Sequence, residues 1–303
     1  MDLELSDDQV ALRDGIRALL TDRFPMERVR EGFTREVYDE LDAAGVFSLV
    51  RDGFTWADAA VVFEQLGEFG VPGPLVGTLL ARGPLEGVVG VHEVADELIV
   101  EHAGVLDDLV VLDGARVVVQ PASARSGPEL EWPLDPLSPA VRVARGALVG
   151  GATLNVDADE WRRRGAVLTA ALLVGIAQRC TDLSVGYAKE REQFGRTIGS
   201  FQAVKHLLAD MVVRTEVARA AVYAAVAHLD EAEQPDLDRA VSVAKLMAGE
   251  AAIANGKTAT QVHGGMGFTW EVDVHLFLKR AWVLDTHFGS VDHHADVVAA
   301  TLS

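Results

Sequence analysis

Apolar residues recur along the first part of the chain at steps of three and four. Val10, Ile16, Leu19 and Leu20 follow Ser6 with near-helical spacing, and Ser6 stands where an N-cap belongs. "REVYDELDAAGVFSLV" and "WADAAVVFEQLGEFG" repeat the theme, the second ending on glycine. "VPGPLVG" (71–77) is rich in helix breakers and reads as a turn. From about 87 to 157 the period changes. "DELIVEH", "DLVVLDG" and "ARVVVQP" are short, rich in Val, Ile and Leu, and bounded by turn residues, which predicts strands. Asp113-Gly114 between two such runs signals a hairpin. "VRVARGALVGGATLNV" continues the β character after a polar, proline-rich loop, "QPASARSGPELEWPLDPLSP".

From about 158 the pattern is helical again. One helix is expected from near Asp159 towards Arg191. It contains "AVLTAALLVGIA" (166–177), a run too short to span a membrane and suited to a buried helix. A second is expected from Ser200, where Val204, Leu208, Met211, Thr215, Ala218, Val222 and Ala225 form a packing seam. A third follows Pro235 and stops at the glycines of "QVHGGMGF", and shorter helices cover 272–285 and 290–302. The chain therefore reads as mainly α in three parts. These are a helical N-terminal domain (1–86), a small β middle domain (87–157) and a C-terminal four-helix bundle (158–303).

Composition narrows the function classes. The 303 residues are 49% hydrophobic, enough for a sizeable core. The net charge of −19 would repel a phosphate backbone, so nucleic acid is not an expected partner, and no membrane is either. Cys180 is the single cysteine. It permits no intramolecular disulfide, suits a reducing cytoplasm and reads as a small buried apolar residue. The acidic start "MDLELSDDQ" lacks a secretory pattern, which adds to the cytoplasmic expectation.

Three stretches carry candidate chemistry. In "YAKEREQFGRTIGSFQAVKHLLADM" (187–211), Lys189, Arg191 and Arg196 crowd the corner between two helices, with Phe194 among them. Gly195 and Gly199 break the helices and Ser200 can cap the second. Such a corner can hold a phosphate beside a flat ring, or it is a solvated basic turn. In "QVHGGMGF" (261–268), Gly264, Gly265 and Gly267 leave backbone N–H groups open to an anion, or simply stop a helix. "DTHFGSVDHHAD" (285–296) holds three His and three Asp. Its glycine and its adjacent, diverging His293 and His294 do not suit a zinc site, so no metal is expected and a polar turn capped at Ser290 or Asp292 is.

Together the first two stretches resemble the C-terminal domain of acyl-CoA dehydrogenases. That family carries an R-x-x-F-G corner, a Gln early in the next helix and a Q-x-x-G-G-x-G turn. The matches are Arg191, Phe194-Gly195, Gln202, and Gln261 with Gly264-Gly265. The three-part layout fits as well. The resemblance covers 158–303 well and 1–86 loosely. It implies FAD as cofactor, with Arg191 on the pyrophosphate and Phe194 near the flavin–ribityl end. It further implies Gln202 near the adenine or ribose, and Gln261, Gly264 and Gly265 near the ADP portion of an FAD held mainly by a neighbouring subunit.

The chain departs from the family pattern in two places, and both bear on catalysis. Residues 87–157 contain neither the "T-E-P…G-S-D" nor the "W-I-T" segment that lines the flavin ring in the family. The family's proton-abstracting glutamate sits in a "Y-E-G-T" turn, where this chain has "HFGS" and therefore Phe288. The alternative position, on the first long helix of the C-domain, holds Gly165. The chain thus resembles the shorter subunit of the α2β2 acyl-CoA dehydrogenases of actinobacterial steroid degradation. That resemblance implies a longer paralogue as partner, an acyl-CoA substrate and an electron-transfer acceptor. The other readings are a self-sufficient homo-oligomer using His287 or Asp285 as base, and a helical assembly protein that binds no flavin.

Overall fold

The computed structural model describes residues 4–231 and 236–301. Its first helix, α1 (Asp7–Arg23), opens with a capping box: Ser6 Oγ accepts from Gln9 N–H and Gln9 Oε1 accepts from Ser6 N–H. Then come α2 (Met26–Val29), α3 (Arg35–Ala43), α4 (Trp56–Glu68) and α5 (Leu75–Ala81). Thr34 and Thr55 cap α3 and α4 through their side chains. The turn expected over 71–77 is shorter than that. Proline is tolerated where a helix begins, and Pro74 launches α5, whose residues Leu75 to Ala81 are all buried.

The β part begins inside the expected 87–157, with one strand ahead of the runs that the pattern marks. Its strands are β1 (Val89–Glu93), β2 (Glu97–Glu101), β3 (Asp108–Asp113), β4 (Arg116–Gln120), β5 (Ala140–Ala144) and β6 (Ala152–Leu154). They form a four-stranded sheet in the order β1-β3-β4-β6, with β1 parallel to β3, and a separate antiparallel pair β2–β5. The hairpin is present one residue later than expected. Asp113 pairs with Arg116, so the tight turn is Gly114-Ala115, with Gly114 at φ +59°. β1 escapes the sequence pattern because "VGVHE" holds only two strand-forming residues beside a glycine and two polar ones.

The rest is a helical bundle. α6 (Ala158–Glu190) runs along its centre, packed by α4, α7 (Gln202–Leu229) and α8 (Leu237–His263). α9 (Val274–Leu284) and α10 (Val291–Ala300) lie on α8. Between α6 and α7 sit the two-residue strands β7 (Glu192–Gln193) and β8 (Arg196–Thr197). An apolar window of α6 has the length and hydropathy to cross a membrane, but most of that window is buried inside the protein. α4 and α6 cross almost backbone to backbone: a Cβ on Gly67 would lie 2.0 Å from Leu172 O, and one on Gly175 2.0 Å from Glu64 O.

The α7 seam packs inward, with Met211, Thr215, Ala218, Val222 and Ala225 buried. Buried Asn255 ties the three long helices together. Its amide donates to Ala177 O and Thr181 Oγ1 on α6 and to Met211 O and Thr215 Oγ1 on α7, while its carbonyl accepts from Arg214 Nε. Ser200 does not cap α7: its hydroxyl donates to Thr197 O, and Phe201 holds the cap position. Ser290 does cap α10, accepting from His293 N–H. Pro235, expected just before α8, lies outside the described residues.

Candidate functional site

The basic corner is a tight hairpin. Arg191 ends α6, its N–H donating to Tyr187 O at 2.8 Å and its carbonyl accepting from Ile198 N–H at 2.8 Å. Glu192-Gln193 then pairs with Arg196-Thr197 across Phe194-Gly195. Both turn residues are left-handed, Phe194 at φ +54° and Gly195 at φ +75°. This is the pattern of a type I′ turn, one of the two common two-residue hairpin loops, and a phenylalanine in it is strained. Phe194 is 92% exposed, touching Phe201 edge-on at 6.2 Å, while Arg196 lies 4.0 Å over the Phe201 ring. Arg191 is exposed and enters no ion pair among the described residues. Gln202, also exposed, opens α7.

The glycine turn is at the same end of the bundle. Tyr187 near the end of α6 stacks on His263 at the end of α8, ring centroids 4.3 Å apart. The His263 Nδ1 position faces Ala259 O at 2.8 Å, and burial lowers the pKa of that imidazole. Gln261 is exposed. The three glycines are bare for different reasons. Gly264 ends α8 at φ +61°. Gly267 faces Thr260 so closely that a Cβ would lie 2.5 Å from its carbonyl oxygen. Gly265 has ordinary φ and open space where a side chain would go, so the helix end does not require it to be glycine. The two motifs, more than 60 positions apart, thus present an uncompensated guanidinium, exposed aromatic surface and bare backbone at one end of the bundle.

The third stretch lies elsewhere. Phe288 is 9% exposed and left-handed at φ +53°, followed by Gly289 at φ +111°. Its ring fills the notch left by Gly165: a Cβ there would sit 2.3 Å from Phe288 Cδ1 and Cε1. The two positions singled out in the sequence are therefore in contact, with carbon on both sides. His294 secures the turn. Its Nε2 lies 3.1 Å from Phe288 O and its Nδ1 3.1 Å from Ser242 Oγ. A carbonyl only accepts, so Nε2 carries the proton and Nδ1 accepts from the serine. Burial holds this imidazole down at about 4.

The other members of the stretch are engaged. His287 Nε2 lies 3.1 Å from Glu101 Oε1. Burial pushes that carboxyl upward, but the neighbouring His287 wins and holds it at about 2. Buried Lys245 donates to Asp285 O at 2.7 Å, with Asp285 Oδ1 3.9 Å away. Burial lowers Lys245 to about 8 and raises Asp285. Among the described residues no group of three His, Cys, Asp or Glu converges as a metal site would need.

A further set of buried charges adjoins Phe288. Arg280 donates from Nε to Asp135 Oδ2 at 2.8 Å and from Nη1 to Gly70 O and Val71 O, each at 2.9 Å. This one guanidinium joins the first helical part, the β part and the bundle. The sequence clue was a charged residue inside the apolar "LFLKRAWVL" of α9. Its partner, 145 residues away, left no clue.

Fold and surface chemistry agree with one family. The model of the acyl-CoA dehydrogenase C-terminal domain matches residues 163–303. The chain belongs to the acyl-CoA dehydrogenase family, whose cofactor is FAD. More particularly, it is similar to acyl-CoA dehydrogenase IpdE2 of Mycolicibacterium smegmatis, 33% identical across 91% of this chain and 93% of that protein. Its fold is similar to a chain of the ChsE4-ChsE5 complex from Mycobacterium tuberculosis, with TM-score 0.84, 22% identity and coverage of 100% and 99%. It is also similar to a chain of the Tcur3481-Tcur3483 steroid acyl-CoA dehydrogenase G363A variant, with TM-score 0.82, 21% identity and coverage of 98% of each chain.

The surface suits part of such a cofactor. Arg191 offers charge to a diphosphate, and Gly265 offers backbone that nothing in the chain's own packing needs bare.

Proposed function

We propose that this chain is the base-lacking subunit of a heteromeric, FAD-dependent acyl-CoA dehydrogenase. The observation that carries the reading is the contact of Phe288 with Gly165. At both positions where the family resemblance expects a carboxylate there is hydrocarbon, and the Ser242–His294 chain holds Phe288 in place. A partner, expected to be a longer paralogue, supplies the base, the contacts to the flavin ring and the acyl-CoA pocket. This chain supplies the other wall of the cofactor site. Arg191 would pair with the pyrophosphate, Phe194 would cover the ribityl side, Gln202 would reach the adenine or ribose, and Gln261, Gly264 and Gly265 would border the ADP portion. Held there, FAD would supply the hydride acceptor for the α,β-dehydrogenation. The chain's own residues position it and exclude water, and they move no proton.

The exposed strain of Phe194 supports this reading. A 92%-exposed aromatic in a left-handed turn gains nothing from the chain's own core, but it is ready to pack on something brought by another chain. The outward face of α7, with Leu207, Val213 and Val217 exposed, supports it too. A similar fold in a complex of two differently named chains, and another described as a steroid acyl-CoA dehydrogenase, favour a heteromer acting on a steroid-derived thioester.

Co-expression tests it. The chain alone is expected to be colourless, and yellow and active with its longer paralogue. Arg191→Ala in that complex is expected to lower its FAD content at least tenfold. A yellow, active protein made from this chain alone would favour the homo-oligomer with His287 or Asp285 as base. A complex whose FAD content ignores Arg191→Ala would remove the cofactor assignment.

A further inference from the structure

α7 carries apolar residues where a solvated helix carries charge. Met211, Thr215, Ala218 and Val222 mark its buried side. The opposite line, by helical periodicity, runs through His206, Ala209, Val213, Val217 and Ala220, all exposed. Val213 is 59% and Val217 48% exposed, and Leu207 and Val212 are exposed on the two flanks. Steps of three and four are those of a helix-packing seam, and the alanines let a second helix come close.

The charges along the edges of this face select what covers it. Lys205 and Asp210 are exposed and enter no ion pair among the described residues. Arg214 donates to the neutral Asn255 Oδ1 and Thr258 Oγ1 and meets no carboxylate among the described residues. Glu216 pairs with Arg219, but its side chain remains 58% exposed. Glu216 also lines a groove of about 690 Å3 together with Asp182, whose carboxylate receives the Gln178 amide and no cation among the described residues. By helical periodicity Lys205 and Glu216 share one edge of the face, and Asp210 and Arg214 share the other.

These charges match in an antiparallel pair of identical helices. A two-fold axis sets each edge against the same edge of the copy. With Val213 over Ala209 of the copy, Lys205 falls level with Glu216 of the copy, at the groove that holds Asp182. Asp210 falls level with Arg214 of the copy, and all three pairs share one register to within a helical turn. A parallel pair would put Lys205 on Lys205 and Asp210 on Asp210. Two chains of net charge −19 repel at long range, but exposed charges more than about 8 Å apart are largely screened at physiological ionic strength, so the edge pairs decide.

We propose that two copies of this chain associate through α7, in an isologous antiparallel helix pair centred on Val213 and Ala209 and fixed in register by Lys205 with Glu216 and Asp210 with Arg214. An α2β2 assembly contains two copies of this chain, and so does a homo-oligomer. The contact therefore holds whichever chain supplies the base.

Sedimentation velocity of the full chain tests it. The wild type is expected to form a dimer whose fraction rises with concentration. Val213→Arg, Lys205→Glu and Glu216→Lys are each expected to raise the dissociation constant by about tenfold or more, with an unchanged circular dichroism spectrum. Mixing the last two variants reads the register. Each sets like charges against itself and opposite charges against the other, so an equimolar mixture should recover the dimer that neither forms alone. A wild-type chain that stays monomeric would overturn the proposal and give the face to a different chain. A dimer that persists in Val213→Arg would place the contact elsewhere and overturn it too. Variants that fail to dimerise alone and also fail when mixed would overturn the register and with it the proposal.

Discussion

The two ends of interest in this molecule handle charge in opposite ways. At the Arg191 hairpin the guanidinium stands in solvent, the aromatic beside it is exposed, and the glycine backbone has open space in front of it. At the Phe288 junction the guanidinium of Arg280 is buried on a carboxylate and two carbonyls, the aromatic is wedged into a glycine notch, and the turn is hydrogen-bonded from behind. Each has a left-handed phenylalanine followed by a left-handed glycine. The same local device serves an unfinished surface in one place and a sealed interior in the other. Whether a strained aromatic is a binding element therefore depends on what its own chain puts against it.

The same substitution at both sites gives the sharpest contrast. Arg280→Met leaves Asp135, 1% exposed, as an unpaired buried carboxylate, and is expected to destabilise the chain by about 3–5 kcal/mol. Arg191→Met removes an exposed charge and is expected to change stability by less than about 0.5 kcal/mol. Urea denaturation of both variants measures this, and equal losses would erase the distinction between sealed and open sites.

Acid probes the same contrast without mutation. His102 and His294 are buried and lowered to about 4, so the unfolded chain takes up their protons first. Their contribution is complete above the ordinary histidine value near 6.5 and is lost as the pH falls toward 4. By pH 5 the loss is about 2 kcal/mol for each. Melting temperatures measured from pH 7 to 5 should fall, and His102→Phe should flatten part of the slope. A wild-type profile flat over that range would rule out buried neutral histidines.

How much of this was legible in the sequence depends on range. The long helices, their seam and the middle strands were readable because each depends on period and on residues a few places apart. Arg191, Phe194, Gln202, Gln261, Gly264 and Gly265 were readable as motifs for the same reason. The hairpin conformation at Phe194-Gly195 was not, because nothing in "QFGR" marks phenylalanine for a left-handed position. α5 was hidden by the prolines ahead of it, and β1 by a glycine and a parallel partner nineteen places further on. The polar junction was invisible: Glu101 meets His287 and Asp135 meets Arg280 only after three separate parts have packed. The stretch 285–296 drew attention for its histidines. Their partners, Glu101 and Ser242, turn two of them into structural hydrogen bonds and leave Phe288 as the residue to explain.

The Phe288 notch can be broken from the other side. Gly165→Ala places a methyl 2.3 Å from the Phe288 ring, closer than any contact the ring can accept without moving. Overpacking of this kind is expected to cost about 1–3 kcal/mol. Phe288→Leu should relieve it, so the double variant should be more stable than the sum of the two single losses predicts. Strict additivity in denaturant melts would mean that the ring does not occupy the notch in solution.

The smallest expected effect on stability separates structure from ligand most cleanly. Gly264 sits at φ +61° and ψ −139° at the end of α8, a region that only glycine adopts readily, so Gly264→Ala is expected to cost about 1–3 kcal/mol whatever the turn binds. Gly265 has neither positive φ nor a close neighbour, so Gly265→Ala should leave the melting temperature of the chain unchanged. If the backbone there lies against FAD in the assembled enzyme, the added methyl intrudes on the cofactor, and FAD content per complex should drop several-fold. The two measurements are independent: a calorimetric scan of the isolated chain and the flavin absorbance of the purified complex. An unchanged scan with unchanged flavin content would show that Gly265 is bare without serving the cofactor. An unchanged scan with lost flavin would assign its missing side chain to a molecule outside this chain.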